Sequence, residues 1–337
     1  MLQRYSRQIA FDGIGEEGQA KLLSSRVAII GLGATGTVAA NNLCRAGVGF
    51  IRIIDRDYVE LTNLQRQTLY DEEDVSSPVP KAAAAFNRLS KINSGITLEP
   101  VVTDVNATTI EALINDVDLV LDCSDNIEVR YLINEACDKS GKPWIYAGAL
   151  AGEGLTMNIF PEETACFRCL FPEAPPPGSY PTCSTAGVVN SVTAIIASVE
   201  SAEALKILTG SPKVRKSLFQ IDVWNNSSNY IDVEKNPDCP VCGRHEYEAL
   251  SGLAGTGAVS LCGRDAVQIT PDTNTEIDFA AFAEKLSKAG DVKYGKFMLT
   301  FSDGSVEFSL FSDGRAVIKN VKDENAAKSI YSEYIGI

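Results

Sequence analysis

The run TNLQRQ places Asn63, Gln65, Arg66 and Gln67 within five positions, three amides and a guanidinium, and Lys81 follows downstream. Such a set suits charge stabilisation at a phosphate better than proton transfer. Arg66 and Lys81 can meet negative charge developing on a phosphoryl group, while Asn63 and Gln65 can orient phosphate and ribose. Asp125 stands near the end of DLVLDCSDN and suits Mg²⁺, which takes one or two carboxylates beside phosphates. The chain has one histidine, His245, which rules out any mechanism that needs two and argues against histidine as a base. Two C-x₂-C pairs, Cys166/Cys169 and Cys239/Cys242, predict a closed tetrahedral Cys₄ site for structural zinc. A redox pair is the alternative, but two pairs flanked by proline and glycine favour the metal.

These groups need a scaffold. The apolar, β-branched run RVAIIG predicts a strand, GLGATG (31–36) a tight turn, VAANNLCRAG a helix, and FIRIIDRD a second strand. This is a Rossmann-like βαβ start. Gly31, Gly33 and Gly36 let the backbone turn and approach a phosphate at a helix N-terminus, and Asp55 is placed to accept from ribose hydroxyls. A helix from Lys81, a strand in LEPVVTDV, a helix at 107–114, the buried strand 118–126, a helix in EVRYLINEACDKSG and a strand in PWIYAGA continue the alternation. The pattern predicts an α/β fold, a mostly parallel sheet covered by helices on both faces.

EAPPPGSYPTCSTAG (173–187) breaks that rhythm and reads as an exposed crossing loop. The long apolar helix after it suits a core or a dimer interface. LFQIDVW reads as a strand, and a turn-rich piece leads to CPVCG. Three segments result: residues 1–250 with the glycine turn and the zinc site, a glycine-rich linker at 251–258, and a small α+β unit at 259–337. The last should hold a strand in AVQIT, a helix in DFAAFAEKLSKAG, three strands joined by Asp-Gly turns and a final helix.

The 337 residues carry a formal net charge of −14. That balance argues against nucleic-acid or anionic-membrane partners. The polar start MLQRYSRQIAFDG lacks the apolar core of a secretory signal, and no run approaches the length of a membrane span. Together with an odd nine cysteines, this points to a cytoplasmic protein without a disulfide framework. Cys44, Cys123, Cys137 and Cys262 lie in apolar segments and are expected in the core.

On Asp55, TNLQRQ (62–67), Lys81, SDN (124–126), the paired cysteines and PTCSTAG (181–187), the chain resembles the MoeB/ThiF/HesA family over roughly residues 3–245. These are bacterial relatives of ubiquitin-activating enzymes. The resemblance implies ATP, Mg²⁺ and Zn²⁺. Gly33 and Ala34 would approach ATP, Ala34 standing where many members have a second glycine. Asp55 would hold the ribose, Asn63, Gln65, Arg66 and Lys81 would contact phosphates, and Asp125 would bind Mg²⁺ with Asn126 beside it. Arg7 would reach into a partner subunit's site, which implies a homodimer. Cys183 would lie on the crossing loop as a nucleophile or as a dispensable loop cysteine. The substrate would be a ubiquitin-fold sulfur carrier, MoaD- or ThiS-like, ending in Gly-Gly. Its carboxylate, with a pKa near 3.5, attacks without a base. The unit beyond about residue 258 resembles an extension of some Firmicute members. An acyl substrate on a peptide or tRNA, a non-catalytic scaffold, and an NAD-dependent oxidoreductase are the alternatives. The last leaves TNLQRQ, Lys81 and the cysteine pairs without a role.

Overall fold

A computed structural model describes residues 2–76, 79–173, 183–252, 258–261, 266–270, 277–321 and 324–335. Its first sheet is built from β1 (Arg26–Ile30), β2 (Phe50–Ile54), β3 (Thr97–Val101), β4 (Leu119–Asp122), β5 (Trp144–Leu150), β6 (Glu153–Ile159), β7 (Leu218–Asp222) and β8 (Ser227–Ile231), in the order β3-β2-β1-β4-β5-β6-β7-β8. From β3 to β5 the strands are parallel, Val27 facing both Ile51 and Leu119. The remaining pairs are antiparallel.

The central parallel strands β1, β2 and β4 bury both faces, as their largely apolar runs require, whereas the edge strand β3 is part-exposed. Ile29, Ile51 and Leu121 pack with Leu43 of the helix Ala34–Ala46 and Ala204 of the helix Asn190–Thr209. On the opposite face Ala28 and Ile30 pack with Tyr131 and Ile133 of the helix Ile127–Ser140 and with Phe167. Truncating one of these buried isoleucines or leucines to alanine costs about 2–5 kcal/mol. The chain runs outward from β1 through β2 to β3, then returns to β4 on the other side of β1. The carboxyl ends of β1 and β4 therefore flank the crevice where open α/β sheets bind ligands.

The strands β6 and β8 were not anticipated. EGLTMNI and SSNYI lack the apolar runs that mark β1 and β4. Every residue of β8 is exposed, so β8 is a polar edge strand.

The C-terminal unit is a second, antiparallel sheet of β9 (Ala258–Leu261), β10 (Ala266–Ile269), β11 (Asp291–Tyr294), β12 (Met298–Ser302), β13 (Glu307–Phe311) and β14 (Ala316–Lys319). Its order is β11-β12-β13-β14-β10-β9. The expected strands, helices and Asp-Gly turns are present, and β9 and β11 add to them. One face packs Phe301, Phe308 and Leu310 against the helices Phe279–Leu286 and Glu324–Tyr334. The other packs Ala266, Met298, Phe311 and Val317 against Tyr58 and Val102 of the first unit. Of the linker expected at 251–258, residues 253–257 lie outside the described residues, and Ala258 opens β9.

Candidate functional site

The glycine turn leaves β1 at Gly31, whose φ is +92°. A Cβ on Gly31 would stand 2.7 Å from the Cys123 carbonyl oxygen, and one on Gly36 only 1.9 Å from the Gly31 carbonyl oxygen. These two glycines let the helix Ala34–Ala46 start directly against β1 and β4. Gly33 differs. A Cβ there would meet only Gln67 Nε2, at 3.9 Å, so its surroundings are open. The space lies at the helix N-terminus, where backbone N–H groups favour an anion.

Gln67 is 3% exposed, and its Oε1 is buried without a hydrogen-bond partner. The atom that faces Gly33 is the donor Nε2, which suits an anion, while the orphaned Oε1 could accept from a donor on a ligand. Gln67 sits in the TNLQRQ run, but its type alone assigned it no role. The run is strapped to the turn by Thr68 N–H, which donates to Thr37 Oγ1 at 3.2 Å. Tyr70 donates its hydroxyl to the Leu32 carbonyl at 2.9 Å.

Asp55 stands at the end of β2 in a backbone cradle. Its Oδ2 accepts from Leu32 N–H at 2.6 Å and its Oδ1 from Asp57 N–H at 2.7 Å. The carboxylate thus ties the glycine turn to the exit of β2, and each oxygen keeps a second lone pair for a ligand. Burial pushes its pKa up, opposed by the charge of Lys81.

Lys81 opens the helix Lys81–Ile92 with its side chain 4% exposed, Nζ lying 3.3 Å from Asp57 Oδ2. A buried cation at a helix N-terminus works against the macrodipole, so its place is not explained by helix stability. Asp57 went unremarked in the sequence, since nothing local marks it as the partner of a lysine 24 positions away.

The other expected residues divide. Asn63 is 2% exposed and accepts from Glu60 N–H at 3.1 Å, closing the turn that carries the run. Asn126 caps the helix Ile127–Ser140 by accepting from Glu128 N–H at 2.8 Å. Gln65 and Asp125 are exposed, and Arg66 donates to the Thr62 carbonyl at 2.9 Å. Against burial, the Arg56 pKa is raised chiefly by Asp57 and Asp104 and the Arg130 pKa by Tyr146 and Asp122, with Asp125 adding to both. Arg130 was also missed. It pairs with fully buried Asp122 at 3.2 Å and donates to the Ser124 carbonyl at 2.7 Å, holding the end of β4. Arg7 is exposed on the short helix Ser6–Ile9, away from any described pairing partner. Cys183 begins a short helix, Cys183–Ala186, and its side chain lies outside the described residues. Cys44, Cys123 and Cys137 are buried as expected, whereas Cys262 is outside the described residues.

The four remaining thiols converge. Cys166 Sγ lies 3.6 Å from Cys239 Sγ and 4.0 Å from Cys169 Sγ, and Cys169 Sγ lies 3.5 Å from Cys242 Sγ. A tetrahedron with metal–sulfur bonds of 2.3 Å has edges of about 3.8 Å. Asn134 Nδ2 at 3.6 Å from Cys166 and Asn236 N–H at 3.5 Å from Cys169 donate to the sulfurs, which steadies them as thiolates. The donor set fits zinc with no position left open. His245 belongs to this end of the molecule, its Nδ1 lying 2.9 Å from Asp138 Oδ2, and takes no part in the glycine-turn site.

On the helix Asn190–Thr209, Ala194, Ile195, Ser198, Val199 and Ala202 line an open depression, Ile195 being 37% exposed. No helix among the described residues is long and apolar enough to cross a membrane.

The family model described as "ThiF family" matches residues 5–241. The sulfur carrier protein ThiS adenylyltransferase of Bacillus subtilis (strain 168) is 41% identical over 339 aligned residues, which cover 100% of both chains. The protein of the same name from Escherichia coli (strain K12) is 39% identical over 241 residues, 71% of this chain and 94% of that one. The SAMP-activating enzyme E1 of Haloferax volcanii is 37% identical over 253 residues, 75% and 93% of the two chains. Among solved structures, E. coli MccB with ATP superposes with a TM-score of 0.63 at 24% identity, covering 71% of this chain and 74% of that one. That last likeness is one of fold.

Proposed function

The chain belongs to the ThiF family, and on that premise we propose that it is an ATP-dependent adenylyltransferase that activates the C-terminal carboxylate of a ubiquitin-fold sulfur carrier. The observation that carries the reading is the open Gly33 turn at a helix N-terminus, faced by the Gln67 Nε2 donor and accompanied by the Lys81–Asp57 pair. That is an anion-binding cleft with cations at hand and no histidine.

The chemistry asks for no base. A carrier carboxylate is ionised at neutral pH. Its oxygen attacks the α-phosphorus of ATP, the bond from that phosphorus to the bridging oxygen breaks, and pyrophosphate leaves. The products are acyl-adenylate and pyrophosphate, with no proton to move. The protein's task is to position the two anions and to neutralise charge that shifts to the leaving group. The Gly33 turn and the N-terminus of the helix Ala34–Ala46 would receive phosphate, and Asp55 the ribose. Lys81 and Arg66 would supply positive charge. Asp125 would hold a magnesium ion, which when bound neutralises the polyphosphate. Zinc in the Cys₄ cluster would be structural, since four thiolates complete its shell.

The carrier is ThiS-like in this reading. The match to the Bacillus subtilis protein runs through the C-terminal sheet as well as the nucleotide unit. The active form is a homodimer. Two features support it, the exposed apolar stripe around Ile195 and an Arg7 whose described surroundings offer it no partner.

ATP–pyrophosphate exchange tests the proposal, run with Mg²⁺ and with ThiS-like and MoaD-like carriers separately. Exchange with the ThiS-like carrier, abolished by deleting its terminal Gly-Gly, is the expected outcome. ATP binding without exchange on either carrier would refute the substrate assignment.

A further inference from the structure

Arg315 follows the turn between β13 and β14 and is 1% exposed, buried where the C-terminal sheet meets the first unit. Its Nη2 donates to the Arg56 carbonyl at 2.7 Å and its Nη1 to Gln268 Oε1 at 3.3 Å. The guanidinium lies over the Phe311 ring, 3.8 Å from its centre. Its Nε has no hydrogen-bond partner, the Asp313 carboxylate standing 3.8 Å away. Burying a cation is expensive, and an apolar side chain of similar volume often serves as well or better for stability. Packing alone therefore does not account for an arginine here, and what it touches is informative.

It touches the peptide between Asp55 and Asp57. From that peptide three arms extend. Asp55 grips the Leu32 N–H of the glycine turn. The Arg56 guanidinium reaches Asp104 at 2.7 Å. Asp57 holds Lys81 through its side chain and, at 2.8 Å, through its carbonyl and the Lys81 N–H. The Arg315 charge also feels Asp313, Asp104 and Asp57, and the opposing Arg56, so it belongs to the same charge cluster as the turn.

We propose that Arg315 is a positioning residue for the nucleotide: the appended sheet inserts it to fix the Asp55–Asp57 turn and, through that turn, the ribose acceptor and Lys81. The C-terminal unit is then a working part of the ATP site although no side chain of its own need touch ATP. This rests on the adenylation reading above.

The test uses the full-length chain. Arg315→Met and Arg315→Lys are compared with wild type by calorimetric ATP binding in the absence of carrier and by exchange kinetics. Arg315→Met should raise the Kd and KM for ATP about tenfold, with kcat and the carrier KM changed less than about threefold. Arg315→Lys should recover part of the loss. Tyr334→Phe deletes a hydrogen bond from the C-terminal helix to Asp303, in the turn after β12 of the same unit, without touching the Asp55–Asp57 turn, and should leave ATP affinity unchanged. Thermal unfolding of each variant with and without ATP separates lost folding from lost positioning. Unchanged ATP affinity in Arg315→Met overturns the proposal alone, as does an equal loss in Tyr334→Phe. A wild-type chain that binds no ATP overturns the adenylation reading and this proposal with it.

Discussion

Two alanine substitutions three residues apart should do opposite things. In Gly36→Ala the new methyl would lie 1.9 Å from the Gly31 carbonyl oxygen, about 1.1 Å inside the 3.0 Å that such contacts tolerate. The neighbour is backbone, so the helix Ala34–Ala46 must move off β1. Overpacking of this kind costs about 1–3 kcal/mol, and a backbone clash belongs at the upper end. At roughly 2–4 °C per kcal/mol the melting temperature should fall by about 5–10 °C. Gly33→Ala meets nothing closer than 3.9 Å and has a negative φ of −79°. Its folding stability should change by less than about 1 kcal/mol. The methyl instead occupies the space into which a phosphate would come. Losing one hydrogen bond to a charged group removes about 1.5–3 kcal/mol, so ATP affinity should drop roughly 10- to 150-fold. Differential scanning calorimetry reads the first effect and titration calorimetry with ATP the second. Wild-type ATP affinity in a well-folded Gly33→Ala variant would refute the placement of the phosphate at this turn.

Lys81→Met should lower exchange about 100-fold or more, while relief of the cation at the helix N-terminus offsets part of the loss of Asp57's partner, so unfolding shifts by only a few degrees. An active Lys81→Met protein would remove that residue from the mechanism. Metal analysis should find one zinc per chain, and Cys239→Ser or a strong chelator should lower the unfolding temperature; a metal-free protein of unchanged stability would contradict the Cys₄ reading. Asp116 joins β1 to β2 through Arg52 and Arg26, whose hydrogen bonds hold its pKa down at about 2. A depressed folded-state pKa stabilises above the unfolded value near 3.9, and the gain is lost as pH falls toward 2. The stability gap between wild type and Asp116→Asn should therefore close between about pH 4 and pH 2, and a gap that persists at the acid end would refute the linkage.

How far the sequence reached depended on whether a residue's surroundings are local. RVAIIG and FIRIID announce buried parallel strands because, apart from Arg26, Arg52 and the closing Asp55, their positions are apolar or glycine, and the glycine turn is readable because both its neighbours are contiguous with it. The edge strand β8 is solvated throughout and leaves no pattern. The amides show the limit more sharply. Asn63 was expected at phosphates and Asn126 beside the Mg²⁺ ligand Asp125; in the fold the side-chain oxygen of each accepts from a nearby backbone N–H, as asparagine commonly does in turns and caps. Gln67, one position beyond Arg66, is the amide left with an empty acceptor, and only the fold brings it to Gly33. Asp57 and Arg315 were silent for the same reason, since each acts on a partner that the chain reaches by a long detour.

The four-cysteine cluster also sets a timetable for making the protein. Its two halves are 70 positions apart, Cys169 to Cys239. A ribosome adding 5–20 residues per second needs roughly 4–14 s to cover that gap. Throughout it the nascent chain carries Cys166 and Cys169 as a bare dithiol, two ligands short of a closed site. The antiparallel side of the sheet, β6 to β8, cannot be pinned by the cluster until Cys242 has emerged. Zinc held by this cluster, as proposed, would therefore be captured last in this unit's synthesis, and a cell short of zinc would then be expected to accumulate chains with a finished β1–β5 sheet and an unfastened rim.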